Sequence, residues 1–179
     1  MPVPALAAGD SKATALIRDF LAAYDAVQSF QGKIRSVTRK GDKVNQVRSM
    51  LWLQKPASTA LQLLDAPEAR ATEGTKLVWF GEPTVEVATR IFGFRLTGKP
   101  SIDDSRITGL RGWNMRDLSI VSFVALAKDP RSTFRYVGPG SHLGRPQSVI
   151  EVKGPRLITT VDRQQVWLDD KLKLPMLIE

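Results

Sequence analysis

The chain has no cysteine and a single histidine, His142, in 179 residues. Without cysteine there is no disulfide framework, no thiolate metal site and no cysteine nucleophile. One histidine puts a His-rich zinc site out of reach, and no residue pattern implies a cofactor. No apolar run approaches the ~20 residues that span a bilayer. The 11 prolines and 13 glycines are spread along the chain, so no segment reads as a low-complexity linker, and no repeat at solenoid periods is present. Negative charge is the scarcer sign. There are 18 Asp and Glu against 26 Lys and Arg, a formal charge of +8. That balance serves solubility or favours anionic partners. Part of the excess is local: Lys33, Arg35, Arg39, Lys40, Lys43, Arg48 and Lys55 are offset only by Asp42. A hairpin that basic is either a solvated face or a docking face.

Catalytic constellations are missing too. Ser141 and His142 are adjacent in "GPGSHLGRP", a Gly/Pro loop by composition. A nucleophile needs its base across space in a fixed geometry, and Pro139 stands where a Gly-x-Ser-x-Gly elbow needs glycine. Gly138-Pro139-Gly140 opens like a phosphate-cradling loop but leads into no helix. Asp103-Asp104 and Asp169-Asp170 are paired carboxylates of the kind that satisfy turn backbone. Trp52, Trp79, Trp113 and Trp167 read first as core, and no aromatic pair has the spacing of an RNA-recognition motif. The expectation is a protein that is not an enzyme, with no metal and no nucleic-acid partner.

The hydrophobic pattern is informative. Leu16, Ile17, Phe20, Leu21, Tyr24 and Val27 recur at helical steps after Asp10 or Ser11, either of which can cap. From Phe30 the period becomes two. Strands are expected over Phe30–Arg39, Val44–Gln54, Thr59–Leu64, Lys76–Phe80 and Thr84–Arg90, with a turn at Gly41-Asp42: an antiparallel meander. Residues 93–114 are punctuated by Gly, Pro, Ser and Asp and read as an irregular excursion. Met115–Lys128 is a second helix, capped by Asn114, with Leu118, Val121 and Ala125 on one stripe. Strands over Ser132–Val137, Gln147–Lys153, Leu157–Leu168 and Lys173–Ile178 complete the chain, with turns at Gly154-Pro155 and Asp169-Asp170-Lys171. Residues 1–10 contain Ala5-Leu6-Ala7, the small-x-small pattern before signal-peptidase cleavage, and read as a residual signal or tail segment. Residues 11–179 read as one domain. Its last strand is still apolar near Glu179, so further residues are expected beyond it.

Several local phrases resemble one family. "WLQKPASTALQLLDAP" is similar to a strand, Lys-Pro corner and next strand of the periplasmic outer-membrane lipoprotein-sorting superfamily, the LolA and LolB carriers. "GLRGWNMRDLS", "YVGPGSHLGRPQSVIEV" and above all "VWLDDKLKLPMLIE" resemble further phrases of that family. The resemblance implies an α+β fold: a curved, incomplete antiparallel β-barrel with helices covering its concave face. It implies a periplasmic carrier for a lipid, a lipoprotein acyl chain or another hydrophobic ligand, working beside an inner- or outer-membrane protein and in peripheral contact with membrane. Cavity-lining candidates are Leu51, Leu53, Leu61, Leu63, Val78, Phe80, Val85, Val87 and Phe123. The basic docking face would comprise Lys33, Arg35, Arg39, Lys40, Lys43 and Arg48. Four residues after Pro56, where LolA-type carriers usually have arginine, this chain has Ala60, so their plug is not carried over. The alternative is a non-catalytic envelope sensor or scaffold that binds a protein or acidic polymer through the basic hairpin and the long loop.

Overall fold

The computed structural model describes residues 10–55, 58–66, 73–91, 93–108, 114–118, 120–154 and 164–178. The protein is α+β, and the two sheets found among the described residues are antiparallel. It divides into two compact units, Gln28–Ser119 and Met1–Val27 with Ile120–Glu179.

The Gln28–Ser119 unit is built on a six-stranded sheet of sequential hairpins. Its strands are β1 (Ser29–Lys40), β2 (Lys43–Gln54), β3 (Ser58–Asp65), β4 (Lys76–Trp79), β5 (Glu86–Ile91) and β6 (Phe94–Gly98), paired in that order. Period-two alternation sends one set of side chains inward. Leu51, Leu61, Leu77 and Trp79 are buried on one face and pack with Val85, Ile102 and Met115. The segment after β6 supplies Ile102 and is tied down by its backbone. Val85 N–H donates to the Pro100 carbonyl at 3.0 Å, and Ile102 N–H to that of Pro83 at 2.8 Å. Trp79 can be buried because its indole N–H reaches the Glu82 carbonyl at 2.7 Å.

The other unit carries α1 (Ser11–Ala26), and its chain resumes after the short helix α2 (Met115–Leu118) that closes the first unit. Asn114 caps α2 by reciprocal bonds. Its Oδ1 accepts from Arg116 N at 2.9 Å, and Asp117 Oδ2 accepts from Asn114 N at 2.9 Å, a capping box. Then come α3 (Ile120–Lys128) and a four-stranded sheet. Its strands are β7 (Thr133–His142), β8 (Arg145–Lys153), β9 (Gln164–Asp169) and β10 (Pro175–Ile178), again in sequential order.

Helix α1 buries Ala13, Ile17, Phe20, Leu21 and Tyr24, the stripe its spacing predicts. Asp10 caps it, accepting from Lys12 N at 2.9 Å, and its other oxygen accepts from Tyr136 N of β7 at 2.9 Å. One carboxylate thus starts the helix and ties it to the sheet. These backbone donors, led by Tyr136, hold the Asp10 carboxyl below its ordinary pKa. Lys12 Nζ lies 3.7 Å from the centroid of the Tyr136 ring. Phe20 meets Phe123 of α3 with centroids 4.7 Å apart. Asp169 is almost wholly buried, and its charge is met on several sides. Arg145 Nε is at 2.9 Å, and Lys171 N and Leu172 N donate at 2.9 and 2.6 Å.

Three expectations from the sequence need correction. The excursion at 93–114 contains a strand, β6. It forms by backbone pairing to β5 after a turn in which Gly93 takes a φ of 84°, a conformation that suits glycine. The "GPGSH" segment is not a loop: it continues β7, with Pro139 opposite Ser148. Proline is tolerated there because β7 is an edge strand, and a bulge between Tyr136 and Gly138 absorbs the irregularity. The second helix, described as α2 and α3 on either side of residue 119, buries a different face from the one expected. Within α3, Phe123, Val124, Leu126 and Ala127 are buried, while Val121 is only half-buried and Ala125 is exposed. The expected stripe through Val121 and Ala125 therefore does not form. Strand limits elsewhere agree to within a few residues. Residues 1–9, Trp113, Pro155 and the expected strand at 157–163 lie outside the described residues, as does Glu179.

Gly140 is a close-approach position. A Cβ built there would lie 2.5 Å from Trp167 Cζ3 and 3.0 Å from Val149 Cγ2. Gly140→Ala is expected to cost about 1–3 kcal/mol by overpacking. Urea denaturation would read this as a lower midpoint with an unchanged slope.

Candidate functional site

The register of the six-stranded sheet assigns its faces. Leu51 pairs with Leu61, Leu61 with Leu77, and Leu77 with Val87, so these four form a row on one face. Val87 pairs with Gly98, Thr89 with Leu96, and Ile91 with Phe94. Leu96 and Phe94 therefore continue the same apolar face onto the edge strand. There the cover stops: Leu96 is 50% and Phe94 74% exposed. Between core and edge, Thr89 Oγ1 shares a 2.7 Å hydrogen bond with Thr75 Oγ1. The face passes from a packed apolar core through a satisfied hydroxyl pair to an open apolar margin.

The sequence-derived lining residues divide accordingly. Leu51, Leu61 and Val85 lie in the core cluster, with Leu63 and Val87 packed against it and Leu53 buried beside it on the same face. Val78 pairs with Ala60 and Glu86 and belongs to the opposite face. Phe80 follows the end of β4 and is exposed. Phe123 belongs to the other unit and packs on Phe20 there. Phe94 and Leu96 fall inside the expected excursion, so sequence reasoning misses them. Their signal is the short alternation Phe94, Arg95, Leu96, Thr97, which a five-residue strand leaves easy to overlook.

The opposite face is basic. Lys33, Arg35 and Arg39 point to the exposed side of β1, and Arg48, which pairs with Arg35, shares that side. Lys40 and Lys43 face each other at the hairpin end and fall on the other parity, apart from those four. Lys76, Arg90 and Arg95, not singled out by the sequence, join the basic face from β4, β5 and β6 through the register Gln62–Lys76–Ala88 and the pair Arg90–Arg95. Asp65 and Glu86 are the carboxylates on the strands of this side among the described residues. Asp65 is paired with Arg48, and Glu86 with Lys99 at 2.7 Å. Trp52, Val37 and Val44 are exposed among the cations, and Ala60 lies beside Trp52.

The polar groups considered for chemistry are divided between the two units. Asp103 accepts from Asn114 Nδ2 at 2.8 Å. Asp104 binds Arg106 through its side chain and backbone, with Nε at 3.0 Å and N at 2.9 Å. His142 ends β7 in the other unit. Burial pushes the Asp117 carboxyl up, against the opposing pull of the Asn114 N–H. Among the described residues no group of three or more His, Asp or Glu could hold a metal ion, and no helix is long and apolar enough to cross a membrane.

No protein-family model and no curated protein matches the chain by sequence. It is similar to several solved structures, all at low identity. A DUF1329 family protein from Desulfovibrio piger is 14% identical, with a TM-score of 0.46 over 92% of this chain and 70% of that one. A LolA superfamily protein from Nitrosomonas europaea is 13% identical, with a TM-score of 0.39 over 89% and 68%. The Mycobacterium tuberculosis lipoprotein LppX is 13% identical, with a TM-score of 0.46 over 93% and 85%. The superfamily that the sequence phrases resemble is thus also represented among the similar structures.

The Asp104–Arg106 contact makes a pH prediction. The guanidinium holds the Asp104 carboxyl down to about 2 from an ordinary 3.8. A depressed carboxylate contributes stability above its unfolded pKa, and loses it as pH falls from there through the folded value. Carboxyl NMR titration should place Asp104 near the lower value, and Arg106→Ala should return it toward the ordinary carboxylate range. An unchanged midpoint would mean that the pair does not persist in solution.

Proposed function

We propose that the chain is a periplasmic, non-catalytic carrier or binding domain for a lipid, a lipoprotein acyl group or another hydrophobic ligand. The observation that carries this reading is the open margin at Leu96 and Phe94, on the same sheet face as the Leu51–Leu61–Leu77–Val87 row. An acyl chain laid against that margin gains about 0.8 kcal/mol for each methylene it buries, and needs no polar partner along its length. The phrases shared with lipoprotein carriers point the same way. In this reading the six-stranded sheet is the wall of the incomplete barrel that the resemblance implies.

The test has two arms. Native mass spectrometry of the chain purified from an envelope extract should find co-purifying lipid. Uptake of a fluorescent fatty acid by the purified chain should fall at least about tenfold in Phe94→Asp with Leu96→Asp, since two apolar contacts are lost. Ligand-free protein that takes up no acyl probe would overturn the reading. Retention of a protein or acidic polymer instead, weakened by charge reversal within 33–55, would favour the scaffold alternative.

A further inference from the structure

We propose that the basic face of the six-stranded sheet docks on the surface of an anionic lipid bilayer. Its cations are not confined to the β1–β2 hairpin. They begin at Lys33 and Arg35 on β1 and reappear at Arg90 and Arg95 on β5 and β6. Five inter-strand steps of about 4.8 Å separate the two outer strands, so the charge is spread over about 24 Å. That is a surface rather than a site for one anion.

Two features say that this charge seeks a partner. First, Arg90 stands directly opposite Arg95, and Arg35 opposite Arg48. Like charges in cross-strand pairs destabilise a sheet. Asp65 relieves Arg48. Glu86, the other carboxylate on the strands of this face among the described residues, is engaged by Lys99. A layer of anionic headgroups would relieve the remaining repulsion. Secondly, the face is not uniformly polar. Trp52 is 37%, Val44 39% and Val37 47% exposed among these cations.

That mixture selects a bilayer over a nucleic acid. Single-stranded nucleic acid is held by a basic groove with successive aromatic platforms. Here Trp52 is the lone aromatic on the strands of this face among the described residues, and the aliphatic Val37 and Val44 offer nothing for bases to stack on. At a membrane surface, tryptophan sits at the headgroup level and apolar neighbours enter the acyl boundary. Each Lys or Arg near an anionic leaflet adds about fivefold to affinity, within a Debye length of the surface.

This inference does not rest on the carrier reading. The basic face is the other side of the sheet from Leu96 and Phe94, so acyl uptake can fail while docking persists, and the reverse. The test is co-sedimentation of the full chain with vesicles of phosphatidylcholine alone, or of equal parts phosphatidylcholine and phosphatidylglycerol. Binding to the anionic vesicles is expected, lost on raising NaCl from about 0.1 M to about 1 M. Arg90→Glu with Arg95→Glu should weaken it at least about tenfold, given the contribution of each cation. Circular dichroism checks that the variant folds. If it does not, the salt dependence of the unaltered chain and quenching by brominated lipid, removed by Trp52→Phe, decide the matter. Equal binding to neutral vesicles, or anionic binding unaffected by the charge reversals, would overturn the proposal. So would retention of a single-stranded oligonucleotide with no binding to vesicles.

Discussion

The pairing of Leu51 with Leu61, Leu77 and Val87 in one row across four strands is the constraint on which the six-stranded unit depends. A strand has a side-chain period of two, so a slip of one residue in any of these pairings would exchange the two faces of that strand. With the row in place, Trp79, Val85, Ile102 and Met115 have an apolar surface to pack on, and Lys33, Arg35 and Trp52 are turned the other way. The bulge between Arg48 and Ser49 marks where the register shifts beside this row. Asp65 reaches Arg48 at that same point.

The two faces then have different chemistry. One is packed at its centre and uncovered at the β6 margin, where pairing with β5 rather than burial holds the strand. The other is populated by cations with few carboxylates to offset them. A sheet with an apolar margin on one side and a basic surface on the other suits a protein that handles an acyl chain close to charged headgroups. Neither property requires a catalytic group, and the polar residues that invite chemistry are used locally. Asp104 is held by Arg106 and Asp103 accepts from Asn114, while Asp169 closes the turn before β10.

Much of this is legible in the sequence, for identifiable reasons. The stripe Ile17, Phe20, Leu21 and Tyr24 and the cap Asp10 announce α1 because helical spacing and capping are local signals. The alternation of Lys33, Ile34 and Arg35 announces β1 for the same reason. The β6 strand is hidden because its five residues are all exposed and no burial pattern marks them. Pro139 and two glycines conceal the end of β7, since the tolerance of an edge strand is known only once neighbours are assigned. Cross-strand partners are non-local as well. Both parities of β2, and of β4, carry apolar residues, so the separation of Leu51 from Trp52, and of Val78 from Leu77, follows from burial and register. The same register gathers Arg90 and Arg95 with the hairpin cations, although a long stretch of sequence lies between them and Arg48.

Chemical-shift mapping of the isotope-labelled chain with a medium-chain fatty acid tests the division of faces most directly. The account predicts perturbations centred on Val87, Thr89, Phe94 and Leu96, with Lys33, Arg35 and Trp52 unmoved. Perturbations centred on the basic face, with Phe94 and Leu96 unmoved, would contradict it.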